Sequence, residues 1–102
     1  MTSPAPDFDP GRWQKRLDIV AAMTRINAQQ LRNRQLLGGA EIEVAHLEEE
    51  AIDSGVSDTP RIALAEAQSR REALNAAIAR CDDELAALDE ELAAIDRAIV
   101  GN

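Results

Sequence analysis

From Leu64 to Ile99 the chain steps by three and four positions without a slip, with an apolar residue at ten of the eleven. The ladder is Leu64, Ala67, Arg71, Leu74, Ile78, Cys81, Leu85, Leu88, Leu92, Ile95 and Ile99. Only an α-helix brings such positions onto one face, and a spacing sustained over several heptads is the pattern of a coiled coil. One stripe cannot bury itself, so this helix needs a partner of matching length. Thr59 is a capping residue, Pro60 suits a first helical position, and Gly101 is a natural stop, which predicts a helix over 60–100. At 1.5 Å per residue it is on the order of 60 Å long.

The first half of the chain supplies the partner. Asp9 is a good N-cap, Pro10 sits at the first helical position, and Phe8 and Trp13 have the spacing of a hydrophobic staple. A second ladder then runs through Ile19, Met23, Ile26, Gln30, Asn33, Leu37, Ala40, Val44, Leu47 and Ala51. Its phase does not slip across Gly38 and Gly39. Two interior glycines cost a helix roughly 2 kcal/mol relative to alanine. A helix that stopped at Gly38 and restarted at Ala40 would have no reason to keep register, so one helix over 10–53, bent or straight, is expected. A C-cap at Gly38 is the competing arrangement. The stretch DSGVSDTP is the break between the two helices, with Gly55 placed to close the first.

Charge selects how the helices pair. Arg12, Lys15, Arg16, Arg25, Arg32 and Arg34 crowd the start of the first helix, and Glu41, Glu43, Glu48, Glu49, Glu50 and Asp53 its end. Arg61, Arg70, Arg71 and Arg80 lie early in the second helix, and Asp82, Asp83, Glu84, Asp89, Glu90, Glu91 and Asp96 late. Folding back at the turn sets basic against acidic at both ends. Each exposed pair contributes only a few tenths of a kcal/mol, so the pattern acts on orientation more than on stability. The expected architecture is all-α: a tail over 1–8, then an antiparallel two-helix coiled-coil hairpin over 9–102, with helix 10–53, turn 54–59 and helix 60–100. Its internal seam holds Ile19, Met23, Ile26, Leu37, Val44, Leu47, Leu64, Leu74, Ile78, Cys81, Leu85, Leu88, Leu92 and Ile95.

The first helix carries a second stripe outside that seam: Trp13, Leu17, Val20, Thr24, Asn27 and Leu31, continuing to Arg34 and Gly38. Two stripes on one helix are more than a single partner helix covers, and exposed apolar surface of this kind marks association. Trp13, Leu17, Val20, Leu31, Gly38 and Gly39 are therefore the candidate partner or dimer interface. The missing side chains of the glycines would let an outside helix come close, and Ala65, Ala79, Ala86 and Ala93 form a small-residue face on the second helix. Two hairpins joined as a four-helix dimer would cover both stripes.

Chemistry is sparse. His46 stands at helical spacing from Glu43 and Glu50, but one histidine and two carboxylates on an outer face make a weak metal site. Cys81 falls on the seam, where a small apolar side chain needs no further role. Gln30, Asn33 and Arg71 are polar seam positions of the kind that fix register or oligomeric state. Asp82-Asp83 and Glu90-Glu91 are consecutive on a helix and diverge. No phosphate loop, nucleophile elbow, paired-cysteine motif or zinc-protease motif is present. No catalytic, cofactor or metal residue is assigned, and no enzymatic activity is expected.

A net charge of −8 repels phosphate backbones and anionic lipid, so nucleic acid is a poor partner and a membrane no partner. No run approaches the roughly 20 apolar residues of a membrane span. A lone cysteine and an N-terminus without the layout of a secretory signal point to the cytoplasm. Ten arginines against one lysine, with 19 alanines, point to a GC-rich bacterial genome. In size and outline the chain is similar to the Trp-x-Gly hairpin proteins of type VII secretion. Its only tryptophan stands in GRWQK and its turn lacks Trp-x-Gly, so no family is assigned. The expected function is a small acidic interaction module, an adaptor, regulator or chaperone, that self-associates and binds another protein through the apolar stripe. A structural rod or spacer of a larger assembly, such as a phage or secretion apparatus, is the alternative. A nucleic-acid-associated protein using residues 12–34 comes third.

Overall fold

The computed structural model describes residues 9–53, 55 and 58–101. The expected tail over 1–8, the Phe8 half of the staple, Ser54, Val56 and Ser57 of the turn, and Asn102 lie outside the described residues. Two helices make up the fold: α1, Pro10–Asp53, and α2, Thr59–Val100. They pack antiparallel as an all-α hairpin, and no strand occurs among the described residues. The molecule measures 85 × 18 × 14 Å with a radius of gyration of 23.0 Å. A compact chain of this length has a radius of gyration of about 13 Å. This is a rod.

The helix ends follow local chemistry. At the start of α1 the Asp9 carboxylate accepts from the Gly11 N–H at 2.9 Å and the Arg12 N–H at 3.4 Å, which satisfies donors a helix leaves orphaned. α1 runs unbroken through Gly38 and Gly39. Gly55 has φ of 67°, the left-handed conformation that glycine adopts without strain, just beyond the end of α1. α2 begins one residue earlier than the capping pattern predicts. Thr59 is already helical and Asp58 is the cap residue, with no side-chain cap bond. The Asp58 carbonyl instead accepts the first helical bond, from Ile62 at 3.0 Å. Gly101 closes α2 by donating to the Arg97 carbonyl at 2.7 Å.

Cross-helix bonds fix the register. Arg12 reaches the Ala98 carbonyl at 3.3 Å, Arg16 pairs with Asp96 at 2.8 Å, Arg34 lies 3.9 Å from Asp82, and Arg70 pairs with Glu43. All three ion pairs join a basic half of one helix to the acidic half of the other. Their side chains remain partly exposed, so screening by water keeps each one weak. Arg16→Ala should therefore lower unfolding stability by less than about 1 kcal/mol, read by urea titration.

The interior is thin. Ile19, Ala40, Val44 and Ala67 are the buried apolar residues among those described, and none of the larger side chains is completely enclosed. Met23, Ile26, Leu37, Leu47, Leu64, Leu74, Ile78, Cys81, Leu85, Leu88, Leu92 and Ile95 are half-buried. Two helices in contact shield only one side of each other's seam. The accessible surface is 7303 Å², where a compact monomer of this mass exposes roughly 5,700 Å².

Candidate functional interface

Two polar seam residues build a buried cluster near the middle of the rod. The Gln30 amide donates to the Ile78 carbonyl at 2.9 Å and to the Asp82 carboxylate at 2.7 Å. The Asn33 amide lies 3.5 Å from Gln30 Oε1 and 3.6 Å from Cys81 Sγ, while Asn33 Oδ1 accepts from Gln29 at 3.0 Å. Gln30 and Asn33 are both buried, and no buried side-chain polar atom among the described residues lacks a partner. A satisfied polar layer adds little net stability, because its bonds replace bonds to water. It does disfavour pairings that would set these amides against apolar rungs. Cys81 is a half-buried free thiol within this layer. The third polar seam residue, Arg71, is half-buried.

The outer stripe of α1 faces solvent. Trp13 is 42% exposed and Leu17 59%, and Val20 and Leu31 are exposed with them. Gly38 and Gly39 are exposed as well, and a Cβ added at either would meet nothing within 4 Å. Nothing inside the hairpin therefore requires glycine at these positions. Ladder counting overlooked further apolar residues in solvent: Leu36 and Ile42 on either side of the glycines, and Ile52 and Ile62 near the turn. A groove of about 630 Å³ opens beside Gly39, lined by Leu36, Ala40, Glu43, Arg70 and Leu74. Its lining is mostly aliphatic, with one ion pair at its edge.

The remaining candidates stay separate. His46 pairs with Glu50 at 3.1 Å on the outside of α1. Among the described residues no group of three metal-binding side chains converges. No described helix is long and apolar enough to cross a membrane. The arrangement offers apolar and charged surface along a rod. Set against protein-family models, curated proteins and solved structures, the chain matches none.

Proposed function

We propose that this chain is a protein–protein interaction module, an adaptor, regulator or chaperone-like hairpin, that self-associates and docks another protein through the outer face of α1. The observation that carries this reading is the unshielded apolar stripe on a fold with a nearly closed polar ledger but an open apolar one. Trp13, Leu17, Val20 and Leu31 stand in water while the buried amides are all satisfied. An acidic chain of this kind fits a reducing cytoplasm, where Cys81 stays a thiol, and a non-enzymatic role. The basic segment favours nucleic acid less, since Arg12, Arg16 and Arg34 turn toward acceptors on α2.

The test is the mass in solution. Multi-angle light scattering over a range of concentrations should give twice 11.1 kDa at the upper end, and a monomer throughout would remove the self-association. Co-purification from the native host, with the captured protein identified and remixed in pure form, tests the partner. The two long helices of the rod, 44 and 42 residues, favour a second reading, a spacer subunit of a larger assembly. That reading expects open-ended oligomers in place of a closed dimer.

A further inference from the structure

We infer that the second copy lies antiparallel along the back of α1, α1 against α1, with the two-fold axis at Gly38-Gly39. This rests on the self-association proposed above and specifies its geometry. Three features converge on the same point of the rod. The first is the glycine pair. It weakens α1 by roughly 2 kcal/mol relative to alanine, and the lone hairpin has room for both missing side chains. A helix crossing from outside is what would use that opening.

The second is the surface around it. Thr24, Ala28, Leu31, Gln35, Gly38, Ile42 and Ala45 follow helical spacing along the face of α1 turned away from α2, and all are exposed. Leu31 is 61% and Ile42 74% exposed. The face is small at its centre and carries an aliphatic side chain on each flank. An isologous contact needs such a patch, because each flank must meet the other flank of its own copy.

The third is charge. α1 is basic before the glycines and acidic after them, and they mark the boundary. This order runs against the helix dipole, since Arg12 sits in the first turn of α1 and Glu50 and Asp53 in the last. Among the described residues, Arg25, Glu48, Glu49 and Asp53 have no ion-pair partner within the hairpin. An antiparallel crossing at the glycines brings Arg25 of each copy level with Asp53 of the other, and Arg32 into reach of the other's acidic half. A parallel pairing sets base on base and acid on acid. The charge pattern is thus complementary to itself in one orientation only, which identifies the occupant as a second copy.

The test is distance measurement between spin labels by pulsed electron resonance in the full chain. Single cysteines are placed by Asn27→Cys, Glu50→Cys or Lys15→Cys in a Cys81→Ala background. All three sites are exposed, and each labelled protein is checked for helicity and dimer mass first. Asn27 and Glu50 lie equally far from the axis on opposite sides. Both should report about 35 Å between copies, and Lys15 about 70 Å, from twice the axial offset at 1.5 Å per residue. Short distances at all three sites would mean a parallel pair and overturn the inference. So would a dimer whose Asn27 and Glu50 distances differ widely, because its axis would lie away from the glycines. Either result leaves self-association standing, whereas a wild-type chain that is monomeric at every concentration removes both. Gly38→Ala with Gly39→Ala should raise the melting temperature of the dilute monomer and weaken the dimer at least tenfold. Unchanged dimer affinity in that variant would also overturn the inference.

Discussion

Replacing Val44 by aspartate is expected to unfold most of the hairpin at neutral pH. Val44 is 2% exposed and Ala67 on α2 0%, the two lowest values among the described residues. The register set by Glu43 and Arg70 brings the two within about 3 Å of each other along the rod axis. Here the seam is driest among the described residues. A carboxylate at this point loses its hydration. Its neighbours on α1 are Glu41, Glu43 and Glu48, Arg70 is already engaged by Glu43, and Arg71, half-buried one turn along the seam from Ala67, is the base left to meet it. A buried pair repays the desolvation of its two charges only with good geometry and further hydrogen bonds, and a buried charge left unpaired costs about 3 kcal/mol or more. A domain of ordinary size has a total of only about 5–15 kcal/mol to lose, and a seam this thin belongs at the low end of that range. Circular dichroism should show loss of helix at 25 °C, or a melting temperature lowered by tens of degrees. Ile62→Asp is the control, exposed and in the first turn of α2, and should move stability by no more than about 0.5 kcal/mol. Equal effects from the two substitutions would mean that the seam is not where the stability resides.

The sequence reveals the hairpin because its two ladders are long and their phase never slips. Local capping chemistry places the ends of α1 at the same residues as the folded chain, through Asp9, Pro10 and Gly55. At Thr59 the same reasoning errs by one position, since Thr59 and Asp58 both suit a cap and only the backbone decides between them. Unbroken phase also resolves the double glycine, because a restarted helix would have had to recover its register by chance. The charge halves foretell the direction of Arg16–Asp96, Arg34–Asp82 and Arg70–Glu43.

What ladder counting leaves out is depth. It treats Val44 and Met23 as equal rungs, although one is buried and the other half-exposed. It marks Gln30 and Asn33 as polar rungs but does not show that Gln30 reaches across to Ile78 and Asp82. That bond depends on the rotation of each helix about its own axis. The exposed pair Leu36 and Ile42 escapes notice for a related reason. Leu36 lies on neither ladder, Ile42 extends the outer stripe only beyond Gly38, and their meaning comes from flanking the glycines in three dimensions.

A chain carrying both Trp13→Glu and Leu17→Glu should keep its helicity and its self-association, yet lose its other protein partner. Both side chains are exposed in the hairpin, so charging them leaves the fold nearly as it was. A buried tryptophan anchor contributes about 2 kcal/mol or more at an interface. Two anchors lost together weaken the complex by at least about a hundredfold. Self-association is spared because of where the second copy ends. From the glycines, Asp53 of that copy extends about 22 Å along α1, whereas Trp13 lies about 38 Å away on the same side. The N-terminal end of the stripe therefore projects past the crossing, free for a different protein. Trp13 is the only tryptophan, so wild-type emission reports on this directly. It should not change as the dimer is diluted into monomers, and it should shift to shorter wavelength when the partner protein is added. Emission that starts blue and reddens on dilution would place Trp13 under the second copy, and the division of α1 into a self-pairing centre and a partner-binding end would fail.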